Sequence, residues 1–269
     1  MRRLFPGILA VVLALAGSAF AQDAAMVSLQ TADDSRGWDA VGKLMLGDRG
    51  FCTGALIEPQ LVLTAAHCLY DKTTGVQMRP EDIQFYAGWR NGRAVAYRSV
   101  ARTITHPDYR YGGSDKLDRV TADLALLELS QPIRLPSLIP FETGATPVEG
   151  DSVGVVSYAQ DRSEAPSIQE FCEVLAGRRE TLILSCSVDF GSSGAPVFSI
   201  IDGVARIVSV ISAKAEVDGR KVALAVPLAV PLAALRAALD DSKLTGRKMQ
   251  GGVSLLSGGQ GNGAKFVKP

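Results

Sequence analysis

The chain has 269 residues, a formal net charge of zero and a hydrophobic fraction of 47%. A chain of this length and apolar content can bury a core without a structural metal, as one large all-β domain or as two small ones. Because it carries no broad basic field, neither a nucleic acid nor an anionic membrane surface is expected as a partner.

The first 21 residues have the pattern of an export signal. Arg2 and Arg3 give a positive start, residues 8–16 an apolar stretch, and Ala-Phe-Ala at residues 19–21 a cleavage site. The apolar stretch is too short to span a bilayer comfortably, which disfavours a retained membrane anchor. We therefore expect a secreted or periplasmic protein without stable membrane association after signal cleavage, and an N-terminal segment over residues 22–37.

Short apolar runs separated by turn residues follow, and many are β-branched or alternate with polar residues, as half-buried strands do. Many short strands with such turns predict an all-β sandwich or barrels. Residues 130–150 carry four prolines and little periodicity, so they predict a connection between two β units. The predicted strands are residues 44–46, 61–64, 83–87, 94–104, 122–129, 152–158, 168–175, 181–184, 196–201, 207–211 and 222–226.

A helix is predicted near the C-terminus. Residues 231–245 begin with a proline and continue with leucine and alanine at 3–4 spacing. From Gly251 the chain is rich in glycine and serine, and a flexible tail is expected over residues 246–269.

The four cysteines allow three pairings. In an oxidising compartment we favour Cys52–Cys68 and Cys172–Cys186, since each pair is local and the two lie on either side of the predicted connection. A zinc site is the alternative, but the spacings are wide and no Cys-x-x-Cys is present.

Three segments carry a histidine, an aspartate and a serine in one of the known chain orders of a hydrolytic triad. His67 follows an apolar run, Asp123 leads into one, and Ser193 lies between glycines. A serine hydroxyl needs a base to take its proton, and an acid must hold the imidazole in the correct tautomer. His106 is the only other histidine and lies in a predicted turn, so His67 is the expected base.

Ser192 competes with Ser193 as nucleophile, but only Ser193 has a glycine directly after it and Gly191 two residues before it. This arrangement frees the backbone N–H groups of Gly191 and Ser193 to donate to a developing oxyanion. Ala195 occupies the last position of the would-be Gly-x-Ser-x-Gly, which disfavours an α/β-hydrolase elbow. Taken singly, Ser193 is better explained by a tight glycine turn and Asp123 by an ordinary strand edge. The combination favours catalysis.

These segments resemble the chymotrypsin/trypsin-like serine peptidase family in a bacterial secreted form. The resemblance rests on residues 51–57 with 64–68, on 123–127 and on 191–196, and it runs in order over residues 38–240. It implies two antiparallel six-stranded β-barrels, over residues 38–135 and 136–230, with the triad in the cleft between them. It also implies hydrolysis of a protein or peptide substrate through an acyl-enzyme. The triad requires no cofactor and no metal, and we expect a monomer.

Ser192 departs from the family pattern, which has an acid there that pairs with a new N-terminus made by cleavage. Our hypothesis is that the signal-cleaved protein needs no further cleavage, or that another contact forms its oxyanion hole.

The resemblance suggests a substrate pocket with four candidate residues. Ser187 lies at the position that sets pocket charge and argues for a neutral pocket, but the loop is short and Asp189 could reach the pocket instead. Ser209 resembles the strand that pairs with substrate backbone, and Ile211 narrows the pocket where a glycine is common. Small or medium apolar side chains are therefore expected.

Two other functions remain open. Ser192 and the narrowed pocket suggest a protease-like binding module without turnover, and the same triad would also serve an esterase.

Overall fold

The computed structural model describes residues 24–112, 116–178 and 180–250. The predicted export signal and the part of the predicted tail after residue 250 lie outside the described residues.

A short strand, β1 (Val27–Ser28), precedes six antiparallel strands that close the first barrel in the order β2-β3-β4-β7-β6-β5. Leucine, valine and phenylalanine side chains from these strands fill its core, and β3, β4 and β7 are almost wholly buried. The strands are β2 (Val41–Leu46), β3 (Phe51–Glu58), β4 (Leu61–Thr64), β5 (Ile83–Ala87), β6 (Ala96–Thr105) and β7 (Ala125–Leu129).

Six further strands form the second barrel in the order β8-β9-β10-β13-β12-β11, which closes through the pairing of β11 with β8. The strands are β8 (Ser152–Ala159), β9 (Arg162–Arg178), β10 (Thr181–Leu184), β11 (Pro196–Ile201), β12 (Val204–Val217) and β13 (Arg220–Pro227). Strand β1 adds to the outside of this barrel, with Val27 opposite Ile168 on β9. The predicted all-β fold of two antiparallel six-stranded barrels is thus confirmed.

Two α-helices lie among the described residues: α1 (Lys116–Thr121) and α2 (Ala229–Gln250). Leu232, Leu235 and Leu239 of α2 are buried in the core cluster that includes the first barrel. The prediction that the helix ends at residue 245 is wrong, because α2 continues to Gln250. Gly246 is a poor helix former, but Arg, Lys, Met and Gln follow it, and all four are good helix formers. No helix in the described ranges combines the length and apolar character that a membrane crossing requires.

Both predicted disulfides are present, Cys52–Cys68 in the first barrel and Cys172–Cys186 in the second. All four cysteines of the chain are therefore paired within their own barrel.

Candidate active site

The pairing of β4 with β7 brings His67 to Asp123. His67 lies in a 3-10 helix (Ala66–Leu69) directly after β4, and Asp123 lies just before β7. His67 Nδ1 is 2.7 Å from Asp123 Oδ2, and the His67 main-chain N–H donates to Asp123 Oδ1 at 2.8 Å. The carboxylate therefore fixes both the ring and the backbone of the histidine, with Nδ1 as the protonated nitrogen and Nε2 free to act as a base.

Asp123 is only 3% exposed, so its charge needs donors. Besides the two contacts from His67, Ser212 Oγ of β12 donates to Asp123 Oδ2. Ser212 thus reaches from the second barrel to an acid that belongs to the first. No sequence signal identified it, because its position depends on the irregular register between Ile211 and Ala213 in β12.

The environment of the imidazole shifts its protonation. Burial alone favours the neutral ring, but the charge and hydrogen bond of Asp123 outweigh it and raise the pKa of His67 above its ordinary value. The nearby Lys72 ammonium opposes this rise. His106, the other histidine, lies in the predicted turn, where Tyr109 N donates to its carbonyl oxygen at 2.9 Å.

Ser193 enters the site from the loop between β10 and β11. Ser193 and His67 line the same two cavities, although within the described part of the chain neither side chain hydrogen-bonds the other. Catalytic hydrogen bonds are often long in substrate-free sites and shorten in the complex.

The turn around Ser193 leaves two backbone donors unused. Gly191 has φ +98° and Gly194 φ +79°, conformations that favour glycine. The main-chain N–H groups of Ser192 and Gly194 donate to Asp189 O at 2.9 Å and Ile211 O at 2.8 Å. By contrast, those of Gly191 and Ser193 donate to no acceptor among the described residues. The predicted oxyanion pair is therefore available for a ligand.

Thr53 of β3 holds this turn from the first barrel. Its main-chain N–H donates to Ser193 O at 2.8 Å, and its Oγ1 donates to Gly191 O at 2.8 Å. The same Oγ1 accepts from Tyr158 N at 3.1 Å. Because Thr53 is fully buried, each of these bonds is shielded from water. Sequence reasoning did not single out Thr53, because the residues around it do not show that this strand of the first barrel contacts the Ser193 turn of the second.

Ser192 is buried, and its hydroxyl bonds to uncharged groups, one of which, Ser157 Oγ, also accepts from the Arg162 guanidinium at 3.4 Å. Its Oγ is 3.2 Å from Ser157 Oγ and 3.3 Å from Tyr158 O, and it accepts from Asp189 N at 3.3 Å. The position where the resembled family has an activating acid is therefore satisfied by uncharged groups of this chain.

Two neighbouring cavities lie on the side of the second barrel, and Ser193 lines one of them. The near cavity, of about 250 Å³, is lined by His67 and Ser193 and by Asp189, Phe190, Ile211 and Lys214. The far cavity, of about 520 Å³, is lined by Ser187 and Met26, and it shares Val188, Asp189 and Lys214 with the near one.

The four predicted pocket residues do not lie together in the structure. Asp189 and Ile211 line the near cavity beside Ser193, whereas Ser187 lines only the far cavity. Ser209 lines neither cavity; it is buried within β12, opposite Pro227 of β13. The strand segment that lies along the site is Ser212 to Lys214 instead.

Lys214 is a further residue that sequence reasoning did not identify. Its Nζ lies 2.7 Å from Asp189 Oδ1 and 3.9 Å from the centroid of the Phe190 ring. The hydrogen bond from Lys214, together with one from the Phe190 N–H, lowers the pKa of Asp189.

Cys52, His67 and Cys68 offer atoms within 4.8 Å of one another. Both sulfurs belong to the disulfide, so they supply no thiolate for a metal.

Several known proteins are similar to part of this chain. A glutamyl endopeptidase of Bacillus licheniformis is 27% identical over 152 residues, covering 55% of this chain and 45% of that protein. The complement C1r-B subcomponent of Mus musculus is 35% identical over 92 residues, covering 32% of this chain and 13% of that protein. The chain thus matches less than half the length of these relatives.

A solved Glu endopeptidase structure, in complex with MPD, superposes with a TM-score of 0.66 over 82% of this chain and 99% of the other. At 16% identity this match supports the fold alone. The family model described as a trypsin-like peptidase domain matches residues 52–205, more than half of the chain. The chain therefore belongs to the trypsin-like peptidase family.

Proposed function

We propose that this protein is an exported serine endopeptidase that cleaves peptide bonds through Ser193, His67 and Asp123. The observation that carries the proposal is the Asp123 carboxylate, which binds both the His67 ring and the His67 main chain. In the neutral ring, an Nδ1–H that donates to this carboxylate makes Nε2 the basic nitrogen, and Ser193 lines the same cavity as His67. The export pattern and the two disulfides support a secreted or periplasmic location.

The chemistry runs in two halves. Ser193 Oγ attacks the scissile carbonyl carbon while His67 Nε2 takes the hydroxyl proton, and the carbonyl oxygen becomes an oxyanion. The N–H groups of Gly191 and Ser193 donate to that oxyanion. The imidazolium then gives its proton to the amide nitrogen, the C–N bond breaks and the amine leaves. A water molecule repeats the sequence on the acyl-enzyme and releases the acid and Ser193.

The turn around Ser193 does not require a charged N-terminus in this proposal. Ser192 bonds to neutral groups and Thr53 holds Gly191 and Ser193, so the donors are fixed by the chain itself. A fluorophosphonate probe should label Ser193 in the signal-free protein without any added protease. Labelling that appears only after N-terminal trimming would contradict this part of the proposal.

The name of the Bacillus licheniformis relative includes glutamyl, but the near cavity of this chain favours a different side chain before the scissile bond. Its walls include Ile211 and Ala213, and the charge of Lys214 is met by Asp189. We propose small or medium apolar side chains before the scissile bond.

A peptide library digested with the wild type and with Ser193→Ala tests the proposal, with cleaved bonds identified by mass spectrometry. We expect cleavage that Ser193→Ala abolishes and that Asp123→Asn reduces by about 10⁴-fold. Intact peptides with the wild type would favour a binding module. Hydrolysis of esters without any peptides would favour an esterase.

A further inference from the structure

We propose that the Lys214–Asp189 ion pair is a partition across the specificity pocket, which confines the side chain preceding the scissile bond to the near cavity. The proposal rests on the peptidase function above and adds its specificity-determining pair.

The position of the pair is the first argument. Asp189 belongs to the turn that carries Ser193, and Lys214 belongs to β12 on the opposite side of the cavity. Both residues line the near cavity and the far cavity, so their side chains form part of the wall between the two. Shortening either side chain would enlarge the 250 Å³ space next to Ser193 toward the 520 Å³ cavity, with Val188 left as the other shared wall residue.

The pair is held at both ends. Asp189 Oδ1 accepts from Lys214 Nζ at 2.7 Å and from its neighbour, Phe190 N, also at 2.7 Å. The Lys214 ammonium also lies 3.9 Å from the Phe190 ring centroid, within cation–π range. Ser192 fixes the backbone of Asp189 with two hydrogen bonds: the Ser192 N–H donates to Asp189 O, and the Asp189 N–H donates to Ser192 Oγ. The ammonium therefore has a preferred place across the cavity, set by a rigid turn.

Stability does not explain the pair. Its side chains are about half exposed, 46% for Lys214 and 52% for Asp189, and exposed ion pairs add little to the free energy of unfolding. Its chemical consequence lies in the pocket. The near cavity offers Val188, Ile211 and Ala213 as apolar contacts, while the Lys214 charge is already compensated. An acidic side chain gains little from Lys214, which leaves the exposed Lys72 as the other lysine of the lining, and a large aromatic ring meets the Lys214–Asp189 pair.

The test measures kcat/KM on peptides that differ only in the residue before the scissile bond: Ala, Val, Phe, Glu and Gln. The wild type should prefer Ala and Val. In Lys214→Ala, the ratio of kcat/KM for the Phe peptide to that for the Ala peptide should rise about tenfold or more. The reason is that room for even one more methylene group in a pocket changes kcat/KM by about this factor. In Asp189→Asn the freed ammonium should raise the Glu to Gln ratio about tenfold.

Lys243→Ala is the matched control, because Lys243 has the same exposed fraction of 46% and an ion pair with Glu128, but lies on α2. Its ratios should equal those of the wild type. A Phe to Ala ratio in Lys214→Ala within about twofold of the wild type, or a wild type that prefers Phe or Glu, would overturn the partition.

A binding measurement separates this proposal from the peptidase function. The Ser193→Ala protein, with and without Lys214→Ala, is titrated by calorimetry with product peptides ending in Ala or Phe. Tighter binding of the Phe peptide only when Lys214 is removed supports the partition even if no peptide is cleaved. Equal binding in both proteins refutes it, and absent turnover refutes the peptidase alone.

Discussion

His67 carries two opposing electrostatic influences that can be separated by mutation. Asp123 raises the pKa of the ring, and Lys72, which lines the same cavity, opposes that rise. Because the free base must be neutral to accept a proton, kcat/KM falls as the pH drops through this pKa.

Lys72→Gln should therefore move the acidic limb of the kcat/KM profile to higher pH, since removal of the cation lets the pKa of His67 rise further. The shift should shrink as salt screens the interaction in the wild type. Lys243→Gln, a change of the same type on α2, should leave the limb in place. A limb that stays or moves to lower pH in Lys72→Gln would contradict the argument.

Ser212 offers a second prediction at the level of a single side chain. Ser212→Ala removes a donor from the buried Asp123 carboxylate, so kcat should fall about tenfold, equivalent to roughly 1.4 kcal/mol. Ser212→Thr keeps the hydroxyl and should restore most of kcat. A loss seen only in KM, or no rescue by threonine, would mean that Ser212 does not position the acid.

The residues of the candidate site were predictable where the neighbouring residues in the sequence indicate a catalytic role. His67, Asp123 and Ser193 each have neighbours that suggest their role, and the structure places His67 beside Asp123 and gives Ser193 the same cavity. Ser212 and Lys214 were not predictable, because the register irregularity in β12 decides which residues face the cavity. Ser209, three residues earlier, was chosen instead and lies away from it.

Among the elements, the turn before β11 has the tightest steric limit. A Cβ on Gly194 would lie 2.2 Å from Thr64 Oγ1 and 2.3 Å from Thr53 O, and its φ is +79°. Gly203, in the turn between β11 and β12, has nearly the same φ of +77° but no atom within 4 Å. The two positions therefore separate steric overlap from backbone strain.

Gly203→Ala should lower the thermal midpoint by about 2–4 °C, the effect of roughly 1 kcal/mol of backbone strain in a chain of this size. Gly194→Ala adds the overlap and should lower the midpoint by at least about twice as much, or prevent folding. Thermal unfolding followed by circular dichroism measures both. Equal midpoints for the two variants would show that the overlap relaxes without cost.

Strand existence was predictable from apolar runs and turn residues, whereas strand length was not. Strands β9 and β12 extend well beyond the predicted residues 168–175 and 207–211. The ends added to β12 are largely polar or exposed, so no hydrophobic pattern marks them, and pairing with the neighbouring strand β13 supports its C-terminal end. The same reasoning accounts for β1, whose two residues are strand only because β9 lies alongside.

At the scale of the whole molecule, the contact between barrels fixes the nucleophile turn. Thr53 of the first barrel bonds to Gly191 and Ser193 of the second. Thr53→Val keeps the shape but leaves Gly191 O and Tyr158 N without this partner, at a cost of about 1–3 kcal/mol for each buried group.

Thr53→Val should therefore reduce kcat by about tenfold or more and lower the free energy of unfolding, whereas Thr53→Ser should retain both. Thr181→Val is the matched control, because Thr181 is also buried but its hydroxyl has no hydrogen-bond partner among the described residues. It should be neutral or stabilising. Unchanged kcat in Thr53→Val, measured by active-site-titrated turnover, would show that the turn holds without the hydroxyl.

Because each disulfide lies within one barrel, neither would hold the two halves of the chain together if the chain were cut between the barrels. Between the barrels the covalent link is the proline-containing connection between β7 and β8. A nick there would leave His67 and Asp123 on one fragment and Ser193 with Ser212 on the other, while α2 still packs on the first barrel through Arg236 and Glu58. Activity after such a nick would obey mass action: it would fall on dilution below the dissociation constant of the fragments and return on mixing them.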